Sequence, residues 1–171
     1  EKFFEYNNEN IIIEELVELS NPDVSQKTIF VFPEGALAGV DLDNLKNFKE
    51  IFSNKFSDRH TIIMGINTDR MINNSSKIYN SLVVLDNKLN LISEYNKIKL
   101  VPFGEFLPFE KFFKKIGLKK ISYGYESFSA GNDRSLISLI DKNFNFIPLI
   151  CYEIIYSGKI NLKLEDTNFI I

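Results

Sequence analysis

The chain contains no tryptophan, one histidine and one cysteine in 171 residues. A single cysteine permits no internal disulfide. One His with one Cys gives no cluster of the kind that holds zinc, so no metal is expected. Its eight glycines form no phosphate-cradling loop, and no nucleotide cofactor is expected either. No apolar run approaches the roughly 20 residues needed to span a bilayer. Residues 1–6, Glu-Lys-Phe-Phe-Glu-Tyr, carry mixed charge and do not read as a secretory signal. A formal charge of −3 supplies no broad basic field, which argues against nucleic acid as a partner.

What is present is enough to build a core. Apolar residues make up 44% of the chain, and a chain of this size buries roughly two-thirds of its unfolded surface. We read residues 1–171 as one domain. Apolar positions Ile12, Ile13, Leu16, Val17 and Leu19 predict a helix over 10–20, and Leu45, Phe48, Ile51, Phe52 and Phe56 predict a second. Strands are expected at 28–32, 61–66, 78–85 and 89–95, with 67–76 a polar turn and 86–88 a tight turn. A short helix over 109–116 and strands near 127–129, 136–140 and 144–150 complete the pattern. Nearly continuous apolar strands mixed with helices favour α/β layers. The lysines between Lys111 and Lys120 read as a solvated helix face or as a contact for anionic lipid headgroups.

The one cysteine, Cys151, closes the apolar run at 145–150, and Glu153 follows two places later. A thiol at the carboxyl end of a buried strand, where the chain turns into a helix, lies where amide dipoles favour the thiolate. Free cysteine is also a common core residue, and taken alone Cys151 reads first as one. Two other segments displace that reading. Residues 28–35 end a β-rich run on Pro33-Glu34-Gly35, and residues 95–108 carry Lys97 and Glu105 among prolines and a glycine. Glu34, Lys97 and Cys151 thus each stand at the exit of a predicted strand, where distant parts of a layered fold converge. A carboxylate to take the thiol proton, an ammonium to hold an oxyanion and a thiol make a complete set for covalent acyl transfer.

These strings resemble the Glu-Lys-Cys signature of the carbon–nitrogen hydrolase (nitrilase) superfamily. More narrowly, they resemble its apolipoprotein N-acyltransferase branch. The narrower likeness rests on Phe-Pro-Glu at 32–34, Tyr-Asn-Ser at 79–81, Tyr-Asn-Lys at 95–97, Leu-Val-Pro-Phe-Gly-Glu at 100–105 and Ile-Cys-Tyr-Glu-Ile at 150–154. Soluble amidases usually carry Asp two places after the cysteine and then Arg-Phe-Pro-Glu, where this chain has Glu153-Ile154-Ile155-Tyr156. Phe32 stands where the acyltransferases often have Trp.

The resemblance implies a four-layer α-β-β-α sandwich, here truncated at its C-terminal end. Cys151 would be the nucleophile, Glu34 the general base and Lys97 the oxyanion holder, helped by a backbone N–H near Tyr152. Such a base works best if burial raises its pKa, and Glu34 and Lys97 are expected to hold each other charged. Glu105 would orient Lys97. Glu153 either positions the thiol or is a first-turn carboxylate favoured by the helix dipole. Tyr152 is a supporting or packing residue, Asn80 ties down a nearby loop, and His60 is structural.

The resemblance further implies a phospholipid acyl donor and a diacylated lipoprotein acceptor. It places the enzyme in the bacterial inner membrane, anchored through segments not in this chain, with the catalytic domain on the periplasmic side. The chain starts without methionine and stops at what reads as a beginning strand, so it is expected to be a fragment of a longer protein. Two other readings remain open: a soluble amidase with a small amide substrate and a polar closed pocket, and a non-catalytic module that keeps the fold as a binding surface.

Overall fold

The computed structural model describes residues 9–37, 39–108, 127–139, 143–159 and 167–171. The predicted helix at 109–116 and the lysine-rich stretch 111–120 lie outside them. Helix α1 (Glu9–Ser20) buries Ile13 and Val17 on one stripe. The second predicted helix is broken in three: α2 (Leu42–Leu45), a 3-10 turn (Lys46–Phe48) and α3 (Lys49–Lys55). The Asp41 side chain caps α2 by accepting the Asn44 N–H at 2.8 Å.

Strands β1 (Thr28–Val31), β2 (His60–Ile72), β3 (Ser75–Leu85) and β4 (Leu91–Asn96) form one sheet in that order. β1 runs parallel to β2, while β3 is antiparallel to both its neighbours. β1, β2 and β4 therefore point the same way, and the exits of β1 and β4 lie at one end of the sheet. Side-chain alternation divides this sheet cleanly. Ile62, Met64, Ile66, Val83 and Leu85 pack with the helices, while Ile63, Leu82, Val84 and Tyr95 face a second sheet. That sheet comprises β5 (Ile137–Leu139), β6 (Phe144–Ile147) and β7 (Phe169–Ile170), and it contributes Ile137, Leu139 and Phe146 to the inter-sheet core. The described residues thus supply three of the four expected layers, α-β-β.

Several expectations change. Residues 67–76 are not a turn but the arms of a long hairpin, because Asn73 and Asn74 take φ of 51° and 60° and close it in two residues. The next turn is longer than expected. Asp86 accepts from the N–H groups of Lys88 and Asn90, Leu89 sits at φ 59°, and β4 starts only at Leu91. Residues 127–129 form no strand, although the Phe128 and Ser129 N–H groups bond the carbonyls of Glu105 and Ile78. Strand β6 ends at Ile147, since Pro148 has no N–H to continue the ladder. His60 is structural as expected. It is buried against Phe30 and Phe56, with Nδ1 accepting the Ser57 N–H and Nε2 lying 3.0 Å from the Asp23 carbonyl.

Candidate active site

Glu34 follows β1 by three residues and is exposed, so the burial expected around it is absent among the described residues. Its backbone passes so close to β2 that a Cβ on Gly65 would sit 3.3 Å from the Glu34 Cα. Asn80, on β3, donates from Nδ2 to Glu34 Oε1 at 3.1 Å and to Glu105 Oε1 at 2.8 Å. Lys97 leaves the end of β4 on the same face as Tyr95 and is 1% exposed. Its Nζ donates to Glu105 Oε1 at 2.9 Å, while Glu105 Oε2 accepts the Val101 N–H at 2.8 Å. The ion pair of Lys97 is therefore with Glu105. Glu34 is reached through Asn80, and the direct Glu34–Lys97 pairing expected from sequence is replaced by a relay through two residues, Glu105 and Asn80. The reason is local: Glu105 accepts the N–H of Val101, four residues back, and so folds its carboxylate over the lysine.

Cys151 opens a 3-10 helix (Cys151–Lys159) after the short link Pro148-Leu149-Ile150. It is exposed and sits at φ 51°, a left-handed conformation costing roughly 1–2 kcal/mol for a residue with a side chain. That exposure removes the core-residue reading. The conformation is held by a closed loop around it: Glu153 N–H donates to the Ile150 carbonyl at 3.2 Å, and Ile150 N–H donates to Glu153 Oε2 at 3.0 Å. Glu153 lies in the first turn of that helix and is 0% exposed, an anchored buried carboxylate. Its Oε1 also accepts the N–H groups of Ile98 and Lys99, each at 3.0 Å, and Arg134 pairs with it at 2.8 Å. Tyr95 OH donates to this carboxylate, lying 2.9 Å from both oxygens. Burial comes first, then the hydrogen bond and charge of Glu153. Together they push the Tyr95 phenol well above its ordinary value of 10.0, against the opposing pull of Arg134. Tyr152, beside Cys151, is 56% exposed.

Glu34 and Cys151 line one cleft of about 210 Å³, together with Val31, Phe32, Leu82, Leu149 and other apolar side chains. Lys97 does not line that cleft. It is linked to Glu34 through Glu105 and Asn80. Such a site offers a thiol and a carboxylate to one substrate, with a buried cation one hydrogen-bond relay away. Among the described residues no group of His, Cys, Asp and Glu could hold a metal ion, and no helix is long and apolar enough to cross a membrane.

Residues 28–171 match the carbon–nitrogen hydrolase family. The chain belongs to that family. Its relatives include the apolipoprotein N-acyltransferase of Rhizobium leguminosarum bv. trifolii, 34% identical over 84% of this chain and 27% of that protein. The enzyme of the same name in Brucella suis biovar 1 is 36% identical over 56% of this chain and 18% of its own length. The chain thus spans about a quarter of the first of these relatives. A solved carbon–nitrogen hydrolase superfamily protein of Xanthomonas campestris, with an arsenic adduct in its active site, superposes with a TM-score of 0.55. That likeness covers 88% of this chain and 50% of that one at 14% identity, and supports the hydrolase fold.

Sequence reading missed four contributors to this candidate site: Tyr95, Arg134, Gly65, and Gly131, whose N–H donates to the Lys97 carbonyl at 2.9 Å and whose Cα is closely approached by Asn96. Tyr95 carried a signal, since two residues before Lys97 on a strand is the same face. Arg134 carried none, because its partners lie far from it in sequence. The two glycines matter by what approaches them, which only the fold determines.

Proposed function

We propose that this chain is catalytic machinery of an N-acyltransferase that passes a fatty acyl chain from a phospholipid, through a thioester on Cys151, to the N-terminal amine of a diacylglyceryl-cysteine lipoprotein. The observation that carries this reading is the character of the cleft shared by Glu34 and Cys151. Among the described residues it is lined mainly by apolar side chains, which suits an acyl chain better than it suits the polar pocket of a small-amide hydrolase. The names of the relatives point the same way.

In the first half-reaction Glu34 takes the thiol proton and the Cys151 sulfur attacks the ester carbonyl. The oxyanion is held by a backbone N–H beside the nucleophile, with the buried Lys97 ammonium stabilising it electrostatically from outside the cleft. Such a donor is typically worth about 3 kcal/mol of barrier. The C–O bond breaks, the lysophospholipid oxygen leaves with the proton from Glu34, and a thioester remains. In the second half Glu34 deprotonates the incoming amine, the nitrogen attacks the thioester, and the thiolate departs as the amide forms. One nucleophile serving two substrates gives ping-pong kinetics. Asn80 holds Glu34 and Glu105 at a fixed spacing, and Glu105 holds the lysine charge in place. The setting would be the bacterial inner membrane with this domain on the periplasmic side.

The test is intact mass of the full-length gene product in membranes after incubation with phosphatidylethanolamine, beside Cys151→Ala. A gain of one acyl chain, labile to hydroxylamine and absent in the variant, is expected. Turnover of small amides without any lipid adduct would replace this reading with the soluble amidase.

A further inference from the structure

Arg134 is the one described cation that touches both the buried Glu153 carboxylate and the link leading to Cys151. Its Nε donates to the Pro148 carbonyl at 3.1 Å, three residues before the nucleophile. Its Nη2 donates to Tyr95 OH at 2.7 Å and lies 2.8 Å from Glu153 Oε1, and the guanidinium covers the Tyr95 ring at 5.3 Å. The carboxylate it neutralises has a particular set of partners. On one side it takes the N–H of Ile150, the residue before Cys151. On the other it takes the N–H groups of Ile98 and Lys99, the two residues after Lys97. A single buried anion thus ties the backbone beside Cys151 to the backbone beside Lys97. A buried anion can hold such donors only while its charge is compensated.

We propose that Arg134 is a positioning residue for acyl transfer: by compensating Glu153 and gripping the Pro148 carbonyl, it sets the spacing between the Cys151 elbow and the Lys97 loop. This rests on the acyl-transfer reading above. The bidentate fork matters as much as the charge, because one planar group must reach a carbonyl, a phenol and a carboxylate at once. A lysine in its place supplies a point charge that reaches one of them. Arg134 touches no substrate. Its effect therefore falls on the rate of the chemical step and not on binding, and misplacing reacting groups by about 1 Å costs roughly 100-fold.

The experiment uses the full-length protein in membranes, with phosphatidylethanolamine as donor. Wild type, Arg134→Lys, Arg134→Gln and Cys151→Ala are compared for single-turnover thioester formation, KM and thermal melting. Arg134→Gln is expected to slow thioester formation about 100-fold with KM within about threefold of wild type. Arg134→Lys, which keeps the charge, is expected to remain folded at the assay temperature yet slow the step about 10-fold, which separates the fork from mere stability. If Arg134→Lys forms thioester at the wild-type rate, the proposal is overturned, whether or not Arg134→Gln folds. A change confined to KM overturns it as well. Failure of the underlying reading looks different: wild type itself would form no thioester, or Cys151→Ala would transfer as well as wild type.

Discussion

Replacing Gly131 by alanine should damage both the fold and the chemistry, although Gly131 touches no proposed catalytic side chain. A Cβ there would lie 2.1 Å from the Asn96 carbonyl oxygen, 2.9 Å from its carbon and 3.0 Å from its Cβ. The first two contacts are with backbone and cannot be relieved by a rotamer. Restoring ordinary van der Waals distance, 3.4 Å or more, from 2.1 Å requires the two segments to separate by at least about 1.3 Å. The same glycine donates its N–H to the Lys97 carbonyl at 2.9 Å, and that bond stretches as the segments part. Overpacking of this kind costs about 1–3 kcal/mol, and losing one buried hydrogen bond adds about 1 kcal/mol. We therefore expect Gly131→Ala to lose roughly 2–4 kcal/mol in urea denaturation followed by far-ultraviolet circular dichroism. Since the displaced backbone belongs to Asn96 and Lys97, thioester formation should fall by roughly 100-fold in the fraction that remains folded. A variant within about 0.5 kcal/mol of wild type and within threefold in rate would refute the argument that this close approach fixes Lys97.

Two further outcomes follow from the buried charges. Glu105→Gln presents an amide to three N–H donors, from Lys97, Asn80 and Val101, and either orientation sets N–H against N–H. It also leaves the buried Lys97 without its counter-ion, so a loss of about 3–5 kcal/mol is expected in the same denaturation assay; a loss under about 1 kcal/mol would mean that water or another group compensates. The raised phenol of Tyr95 makes stability depend on alkaline pH. Because the folded value lies above the unfolded one, its contribution is complete below pH 10 and fades as pH climbs through the folded value. Denaturation midpoints for wild type and Tyr95→Phe, compared at about pH 9 and about pH 11.5, should show the steeper decline in wild type. Equal declines would locate the alkaline sensitivity elsewhere.

Local pattern carried much of the fold. α1 was legible because Ile13 and Val17 recur four residues apart among acids, and that stripe is what the helix buries. β1 and β3 were legible from β-rich apolar runs bounded by turn residues. The pattern misled where a special backbone conformation decided the outcome. Asn73 and Asn74 turned a polar stretch into a hairpin, Asp86 organised a longer loop, and Pro148 ended β6 before Cys151. Polar composition alone cannot distinguish a solvated strand from a turn, because an exposed ladder satisfies its backbone either way.

By itself, the sequence determined which chemistry is available: one thiol, with a carboxylate and an ammonium at the exits of two strands. It also determined the layers those strands build, because hydrophobic period is a local property. Which charges pair was decided only by the tertiary structure. Lys97 meets Glu105 rather than Glu34, Asn80 bridges the two carboxylates, and Glu153 collects Arg134, Tyr95 and three backbone N–H groups. It also decided that Cys151 is exposed while Lys97 is buried. The physical reason is the same in each case. A charge taken out of water must be met by whatever group the folded chain brings within reach, and that reach spans 58 residues between Tyr95 and Glu153.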